Sequence, residues 1–195
     1  MSSPLATIGG FCSELRWSDL PEAVRHRAAL ALRDTVGTML GGSHTNAGRI
    51  ASRVATAGGD VPMLTAFAAA VAASALDLDD GHYQGGAIHP SSVIVPALLA
   101  AADPHTSRRD VAVAQVAGNE IGLRAAHLLW PRHELDDYHC TGTAATLGAA
   151  AAVARLRGNV HAAQLLAQHP ALNLGAVVGD ACQVFHTQKL AFLGT

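Results

Sequence analysis

The sequence predicts an all-α fold, a compact bundle of closely packed, alanine-rich helices. Half of the 195 residues are hydrophobic, and apolar residues recur at helical spacing, as at Val24, Ala28, Leu32 and Val36. β-branched residues are few and do not alternate with polar ones, so strands are not expected. The length is sufficient for one domain with its own core, and we expect residues 1–195 to form a single helical domain.

Proline and glycine mark the ends of the expected helices. The first helix begins near Pro21 and ends at Gly41–Gly42. The helices expected after it are 46–57, 62–76, 90–102, one from Ser107 to the break at Trp130–Pro131, 143–157, and one or two between 160 and 185 with a break at Pro170. Two polar loops interrupt this series, at 76–92 and 131–141.

Composition excludes several classes of function. The net charge of −2 comes without a basic stripe or an aromatic platform, which argues against nucleic acid as a partner. No apolar run reaches the roughly 18 residues of a membrane span, and the N-terminus lacks the features of a signal peptide. The three scattered cysteines form no C-x-x-C pair, so we expect no local cysteine metal site and a reduced, cytoplasmic location.

The loop at 76–92, LDLDDGHYQGGAIHPSS, concentrates ionisable side chains between two apolar helices. It holds three carboxylates and two imidazoles, namely Asp77, Asp79, Asp80, His82 and His89. Charged residues make up only 14% of the chain, so this density is above background. The second half of the loop approaches a helix N-terminus, which favours a bound anion. The first expectation is therefore a substrate that bears a carboxylate.

Two other interpretations of this loop stay open. Asp and Gly collect in turns for conformational reasons alone, so the stretch is also typical of an ordinary helix-ending loop. A metal site at Asp79, Asp80 and His82 is a weaker alternative. The EF-hand pattern fails, because Gly81 stands at a ligand position and no Glu closes the loop.

The second polar loop and the end of the chain add complementary groups. These are Asp136, Asp137, His139, Thr141, Thr143 and Lys189. Histidine can accept or donate a proton near neutral pH, and lysine can neutralise a carboxylate next to the carbon that loses a proton. The combination suits abstraction of a proton alpha to a carboxylate, followed by loss of water or carbon dioxide or by reprotonation. No nucleophile-elbow, P-loop or dinucleotide motif competes with it.

Six motifs, in order along the chain, resemble the MmgE/PrpD family. They are LPEAVRHRAALALRDTVGTMLGG, LDLDDGH, HPSSVIVPALLAAAD, VAGNEIGLRAA, DYHCTGTAATLGAAAAVARLRG and TQKLAFLGT. The family includes 2-methylcitrate dehydratase, cis-aconitate decarboxylase and iminodisuccinate epimerase. The resemblance implies a mostly helical domain and lyase or isomerase chemistry on small polycarboxylates, with no cofactor and no metal.

The resemblance also implies roles for individual residues. Its motifs place catalytic groups at Asp77, His89, His139 and Lys189. From the same loops we expect substrate-binding residues at Asp80, His82, Ser91 and Thr143.

The chain departs from the family pattern at three motif positions and in length. The threonine of the family's DDTH motif is Gly81, the tyrosine of GYE is Asn119, and the proline of FHPT is Cys140. Family members are more than twice as long and have a second, lid-like domain, whereas this sequence ends shortly after Lys189. We therefore expect a short form without that lid and without the closing helices, with an exposed apolar surface that predicts a homo-oligomer.

Three hypotheses of function follow. The first is a compact lyase or isomerase in which the two histidines act as acid and base beside a carboxylate held by Lys189. The second is a repurposed family member that carries out elimination, isomerisation or cyclisation on a larger, apolar metabolite. The third is a non-catalytic domain, or a subunit that needs a separate chain to complete its fold.

Overall fold

Helices form most of the chain that the structure, a computed structural model, describes: residues 4–136 and 138–158. They are α1 (Pro4–Glu14), α2 (Glu22–Gly42), α3 (Asn46–Ala57), α4 (Pro62–Ser74), α5 (Ser91–Ala101), α6 (Arg108–Leu129), α7 (Arg132–Leu135) and α8 (Cys140–Leu156), with a 3₁₀ turn at Trp17–Asp19. Within these residues no strand forms, and the predicted all-α fold is confirmed. The helices predicted between 160 and 185, and Lys189, lie outside the described residues.

Side-chain caps define several helix starts where the sequence predicts them. Thr45 precedes α3, and its hydroxyl accepts a hydrogen bond from the backbone N–H of Gly48 at 3.0 Å. Ser107 precedes α6 and accepts one from the N–H of Asp110 at 3.1 Å. Both bonds satisfy N–H groups that have no partner within the helix.

The structure differs from the prediction at one whole helix and at one helix start. Helix α1 is not among the predicted elements, because its two internal glycines weaken the helical signal. It is stabilised where Cys12 packs with Ala117 of α6 and Ala151 of α8. Helix α8 starts at Cys140 rather than at the predicted Thr143, since the His139 side chain caps its first turn.

The central contact of the fold is the crossing of α6 and α8 through glycine. A methyl group on Gly118 would lie 2.6 Å from the carbonyl oxygen of Gly148, and one on Gly148 would lie 2.5 Å from that of Gly118. The two helices thus meet backbone to backbone at these glycines. Helix α5 lies beside this crossing, and its Ile94 and Leu98 are fully buried. This packing of α5, α6 and α8 places the N-termini of α5 and α8 side by side.

The corner formed by α2, α3 and α4 is equally tight. Gly42 lies so close to the Ala72 carbonyl that no side chain fits there, and the same holds for Gly48 beside Gly42. This contact fixes the end of α4, from which the loop at 76–92 departs. None of the helices in the described ranges has both the length and the hydropathy needed to cross a bilayer.

Candidate active site

The aspartates after α4 turn the chain back toward the start of α5. Asp77 is exposed and adopts a left-handed backbone with φ of 55°, which aspartate tolerates better than most residues. Asp80 then accepts two hydrogen bonds from Ser91, one from its backbone N–H at 3.1 Å and one from its hydroxyl at 2.6 Å. The sequence predicts a substrate carboxylate at this helix N-terminus. The carboxylate found there is that of Asp80, because the short loop folds back onto the start of α5.

Burial shapes the ionisation of Asp80. Desolvation raises the pKa of this carboxyl above its ordinary value of 3.8, and the neighbouring charge of Asp79 acts in the same direction. The hydrogen bonds from Ser91 and the proximity of His89 oppose this rise without cancelling it. Asp80 thus has a structural role: it binds the first turn of α5, where Ser91 is fully buried.

The His89 imidazole is held in place through its Nδ1 atom. Its Nδ1 lies 2.8 Å from the carbonyl oxygen of Asp80, and because a carbonyl can only accept, Nδ1 carries the proton. The carboxylate Oδ2 of Asp79, with a side chain only 5% exposed, lies 3.8 Å from the same nitrogen. In its neutral form the His89 imidazole consequently keeps its lone pair on Nε2.

His139 stacks on His89 with the opposite proton arrangement. The two ring centroids are 6.1 Å apart and the planes meet at 11°. His139 is the N-cap of α8, and its Nδ1 accepts a hydrogen bond from the backbone N–H of Thr141 at 3.2 Å. An accepting Nδ1 has no proton, so neutral His139 carries its proton on Nε2. The stacked pair therefore presents one basic Nε2 and one donating Nε2.

Hydroxyl groups of α8 hold this pair in position. The Thr141 hydroxyl accepts a hydrogen bond from the backbone N–H of His89 at 2.9 Å. The Thr143 hydroxyl donates to the carbonyl of His139 at 3.3 Å and accepts from Nε2 of His133 at 2.7 Å. His133 in turn stacks on Tyr138, with ring centroids 5.0 Å apart. The second polar loop thus forms a chain of contacts that ends at His139.

The structure brings some of the predicted site residues together and separates others. His89 and His139 meet, with Asp80 directly behind His89. Asp77 lies in the exposed turn after α4, and the carboxylate found beside the His89 imidazole is that of Asp79.

The remaining predicted residues have local partners. His82 pairs with Ile88 in an isolated bridge and directs Nε2 to the carbonyl of Gln84 at 3.1 Å. Ser91 and Thr143 hold Asp80 and His139 as described above. Lys189 and Asp137 lie outside the described residues, and the assigned roles of all these residues stay predictions.

Three contributors were not predicted as site residues: Thr141, His133 and Tyr83. Thr141 contacts the His139 side chain through its backbone N–H, and histidine is not among the usual N-cap residues, so the sequence carried no signal for this contact. His133 had no signal either, since its link to Thr143 depends on the short helix α7. Tyr83 contacts His89 edge-on, with ring centroids 6.1 Å apart.

A groove of about 900 Å³ adjoins the loop on the side formed by α2 and α6. Most of its wall is apolar, including Leu76 and Leu78 of the loop and Val116 and Leu123 of α6. The charged side chains of Arg27, Arg33 and Glu120 also line it. Asp80 and Gly81 also line it, whereas neither member of the stacked histidine pair does. In the described parts of the chain, no group of three histidine, cysteine or acidic side chains is arranged to hold a metal ion.

One family model matches this chain. The family model for the MmgE/PrpD N-terminal domain matches residues 6–169, which is most of the chain. A search of the curated proteins found no match.

Proposed function

Because the chain belongs to the MmgE/PrpD family, we propose that it is a cofactor-independent lyase or isomerase acting on a small molecule beside a carboxylate or carbonyl. The family has dehydratase and lyase-type members. The observation that supports the proposal is the stacked pair of His89 and His139, whose neutral forms differ in the nitrogen that carries the proton. One ring offers a base and the other offers a donor.

His89 is the proposed general base. Its Nε2 takes the proton from the carbon next to the carboxylate, and the electron pair left behind moves onto the carboxyl oxygens. The imidazolium formed is stabilised through Nδ1 by the Asp80 carbonyl and by the nearby Asp79 carboxylate. It then returns the proton to a leaving hydroxyl, which departs as water. Epimerisation instead requires that a second donor, such as the Nε2–H of His139, protonates the same carbon on its opposite face. Decarboxylation is the third outcome that the family resemblance implies.

His139 is the proposed electrophile. Its Nδ1 accepts the hydrogen bond from the Thr141 N–H, so the neutral ring has its proton on Nε2. A neutral imidazole that donates from Nε2 stabilises the negative charge that develops on a substrate oxygen. Lys189 is proposed to hold a second carboxylate of the substrate.

Exchange of substrate hydrogen with D₂O tests this assignment. The protein is incubated with 2-methylcitrate or cis-aconitate in D₂O, and NMR follows both deuterium uptake and product. We expect His89→Gln to slow both by about 10²–10⁴ and His139→Gln to slow them by about 10²–10³. His26→Gln, at an exposed position on α2, is the matched control. Exchange by His89→Gln at the wild-type rate would contradict the assignment.

A larger, apolar metabolite is the second candidate substrate. The apolar groove beside Asp80 and Gly81 favours it, since 900 Å³ is far more than a small tricarboxylate fills. Ala31→Trp, which places a bulky ring in the groove, separates the two candidates. Turnover of a small polycarboxylate should survive this change, whereas turnover of a substrate seated in the groove should be lost. If the wild type turns over neither kind of substrate, the third hypothesis of a non-catalytic or split-subunit domain is favoured. The cytoplasmic location stays a prediction.

A further inference from the structure

Helix α6 carries two carboxamides with buried atoms that lack hydrogen-bond partners in the described part of the chain. Gln115 is fully buried, and neither its Nε2 nor its Oε1 has a partner there. The Oδ1 atom of Asn119, one helical turn further on, is likewise buried and unpartnered. An unpaired polar group in the interior destabilises a fold, and native structures contain few of them. Three such atoms on one helix therefore require an explanation.

Asn119 brings one of these amides to the groove between α2 and α6. Its side chain lines the groove, whereas that of Gln115 does not. Residues four apart lie on the same side of an α-helix, with roughly 5–6 Å between their Cβ atoms. Gln115 therefore neighbours Asn119 in the core. Rotation about the last bond of the Asn119 side chain exchanges its oxygen and nitrogen, so this carboxamide can offer the groove an acceptor or a donor.

The groove beside Asn119 has room for an apolar body. Its α2 wall includes Ala28, Ala31 and Gly37, and a methyl group on Gly37 would meet no atom of the surrounding elements within 4 Å. The volume of about 900 Å³ is that of a pocket for a small organic molecule. Apolar walls with a few polar groups are the usual composition of such pockets, and Asn119 is a polar group of this kind.

The charged side chains along the groove do not select an ion of one sign. Arg27 and Arg33 carry positive charge, and Asp34 and Glu120 carry negative charge. Glu120 is in addition paired with Arg124 on the same helix. Because both signs are present, the groove offers no field of a single sign that would attract an anion or a cation. A neutral polar group on the ligand is therefore favoured.

We propose that this groove binds a neutral small molecule whose apolar body lies against α2 and whose amide or hydroxyl group hydrogen-bonds with Asn119. The inference rests on the second candidate function, which seats an apolar substrate in the groove, and it names the polar group by which that ligand is recognised. A group that both donates and accepts hydrogen bonds matches a carboxamide, whereas an ester or an ether can only accept.

Two probes with the same apolar ring test the inference without requiring turnover. Cyclohexanecarboxamide donates and accepts hydrogen bonds, whereas methyl cyclohexanecarboxylate only accepts them. NMR titration of the full chain measures both dissociation constants. Asn119→Leu should weaken binding of the amide about five- to tenfold more than binding of the ester. Ala31→Trp should abolish binding of both probes, and Ala29→Trp, at an exposed position of α2 that does not line the groove, is the matched control.

Thermal denaturation without ligand separates a binding role from a structural one. Gln115→Met and Asn119→Leu replace unpartnered amides by apolar side chains of similar size, so both variants should unfold at or above the wild-type temperature. A lower Tm of Asn119→Leu together with unchanged affinity for both probes would overturn the inference.

Two further results bear on the occupant of the groove. No binding of the amide by the wild type would also overturn the inference, and it is the result expected if a second copy or another segment of the chain fills the groove. Amide binding that depends on Asn119, without turnover of any apolar substrate, would sustain the inference and remove the second candidate function. Deuterium exchange that depends on His89 judges the first candidate function separately.

Discussion

The backbone N–H of His89 donates a 2.9 Å hydrogen bond to the Thr141 hydroxyl, 52 residues further along the chain. The same threonine donates its own N–H to Nδ1 of His139. Thr141, which is only 4% exposed, therefore positions both histidines and joins the two polar loops. The N-termini of α5 and α8 are held together at the point where the proposed chemistry takes place.

Thr141→Val should separate the histidines. Valine preserves the shape of threonine but leaves the buried His89 N–H without an acceptor, which costs about 1–3 kcal/mol in the free energy of unfolding. Thr141→Ser keeps the acceptor and should retain activity. Urea denaturation measures the stability difference and the D₂O assay measures the activity. Equal stability and turnover in the two variants would show that the hydrogen bond does not matter.

The α6–α8 crossing should not tolerate a methyl group at Gly148. Gly148→Ala places that group 2.5 Å from the Gly118 carbonyl and should lower the free energy of unfolding by about 1–3 kcal/mol. At Gly122 the nearest atom would be 3.6 Å away, so Gly122→Ala should be neutral or stabilising by up to about 1 kcal/mol. Thermal denaturation of the two variants provides the comparison, and a stable Gly148→Ala protein would contradict the described packing.

Asp80 should make a contribution to stability that decreases as pH rises. Its pKa is raised in the folded state, chiefly by burial, so the folded protein keeps a proton that the unfolded chain loses above about pH 3.8. The difference in unfolding free energy between wild type and Asp80→Asn should therefore fall from pH 3.8 upward and level off above the folded-state pKa. Asp60→Asn, at an exposed position, controls for the lost charge. A free-energy difference between wild type and Asp80→Asn that grows with pH would contradict a raised pKa of Asp80.

Self-association is the fourth prediction. Leu128, before the second polar loop, and Leu135, within it, are 84% and 76% exposed. Exposed apolar surface is typical of interfaces, and we expect a homodimer or a larger homo-oligomer. Light scattering coupled to gel filtration should give a mass above 20.0 kDa for the wild type and a smaller one for Leu128→Glu. A monodisperse monomer at micromolar concentration would contradict it.

The fold could be predicted from the sequence because its signals are local. Thr45, Ser107 and Pro62 stand at helix starts, and their side chains or rings determine the boundary without help from distant residues. Helix α1 was missed, since it depends on packing of Cys12 against two helices that are far away in sequence. The close contact at Gly118 was predictable as a type of contact, whereas its partner Gly148 was not.

The site was predictable in part for the same reason. Clusters of histidine and aspartate in two loops indicated where to look, and His89 and His139 do meet. The sequence alone could not show which of the three aspartates lies beside His89. That depends on the path of the folded loop, in which Asp77 has a positive φ. Nor could it indicate that Asp80 fills the anion position at α5, since that contact is made by the folded loop.

The two stacked imidazoles carry their protons on different nitrogens, and ¹⁵N NMR of the histidine rings measures this directly. His89→Gln and His139→Gln assign the signals, and the spectrum is recorded at a pH high enough for both rings to be neutral. We expect His89 to be protonated at Nδ1 and His139 at Nε2. Protonation of both rings on the same nitrogen would contradict the assignment of base and donor.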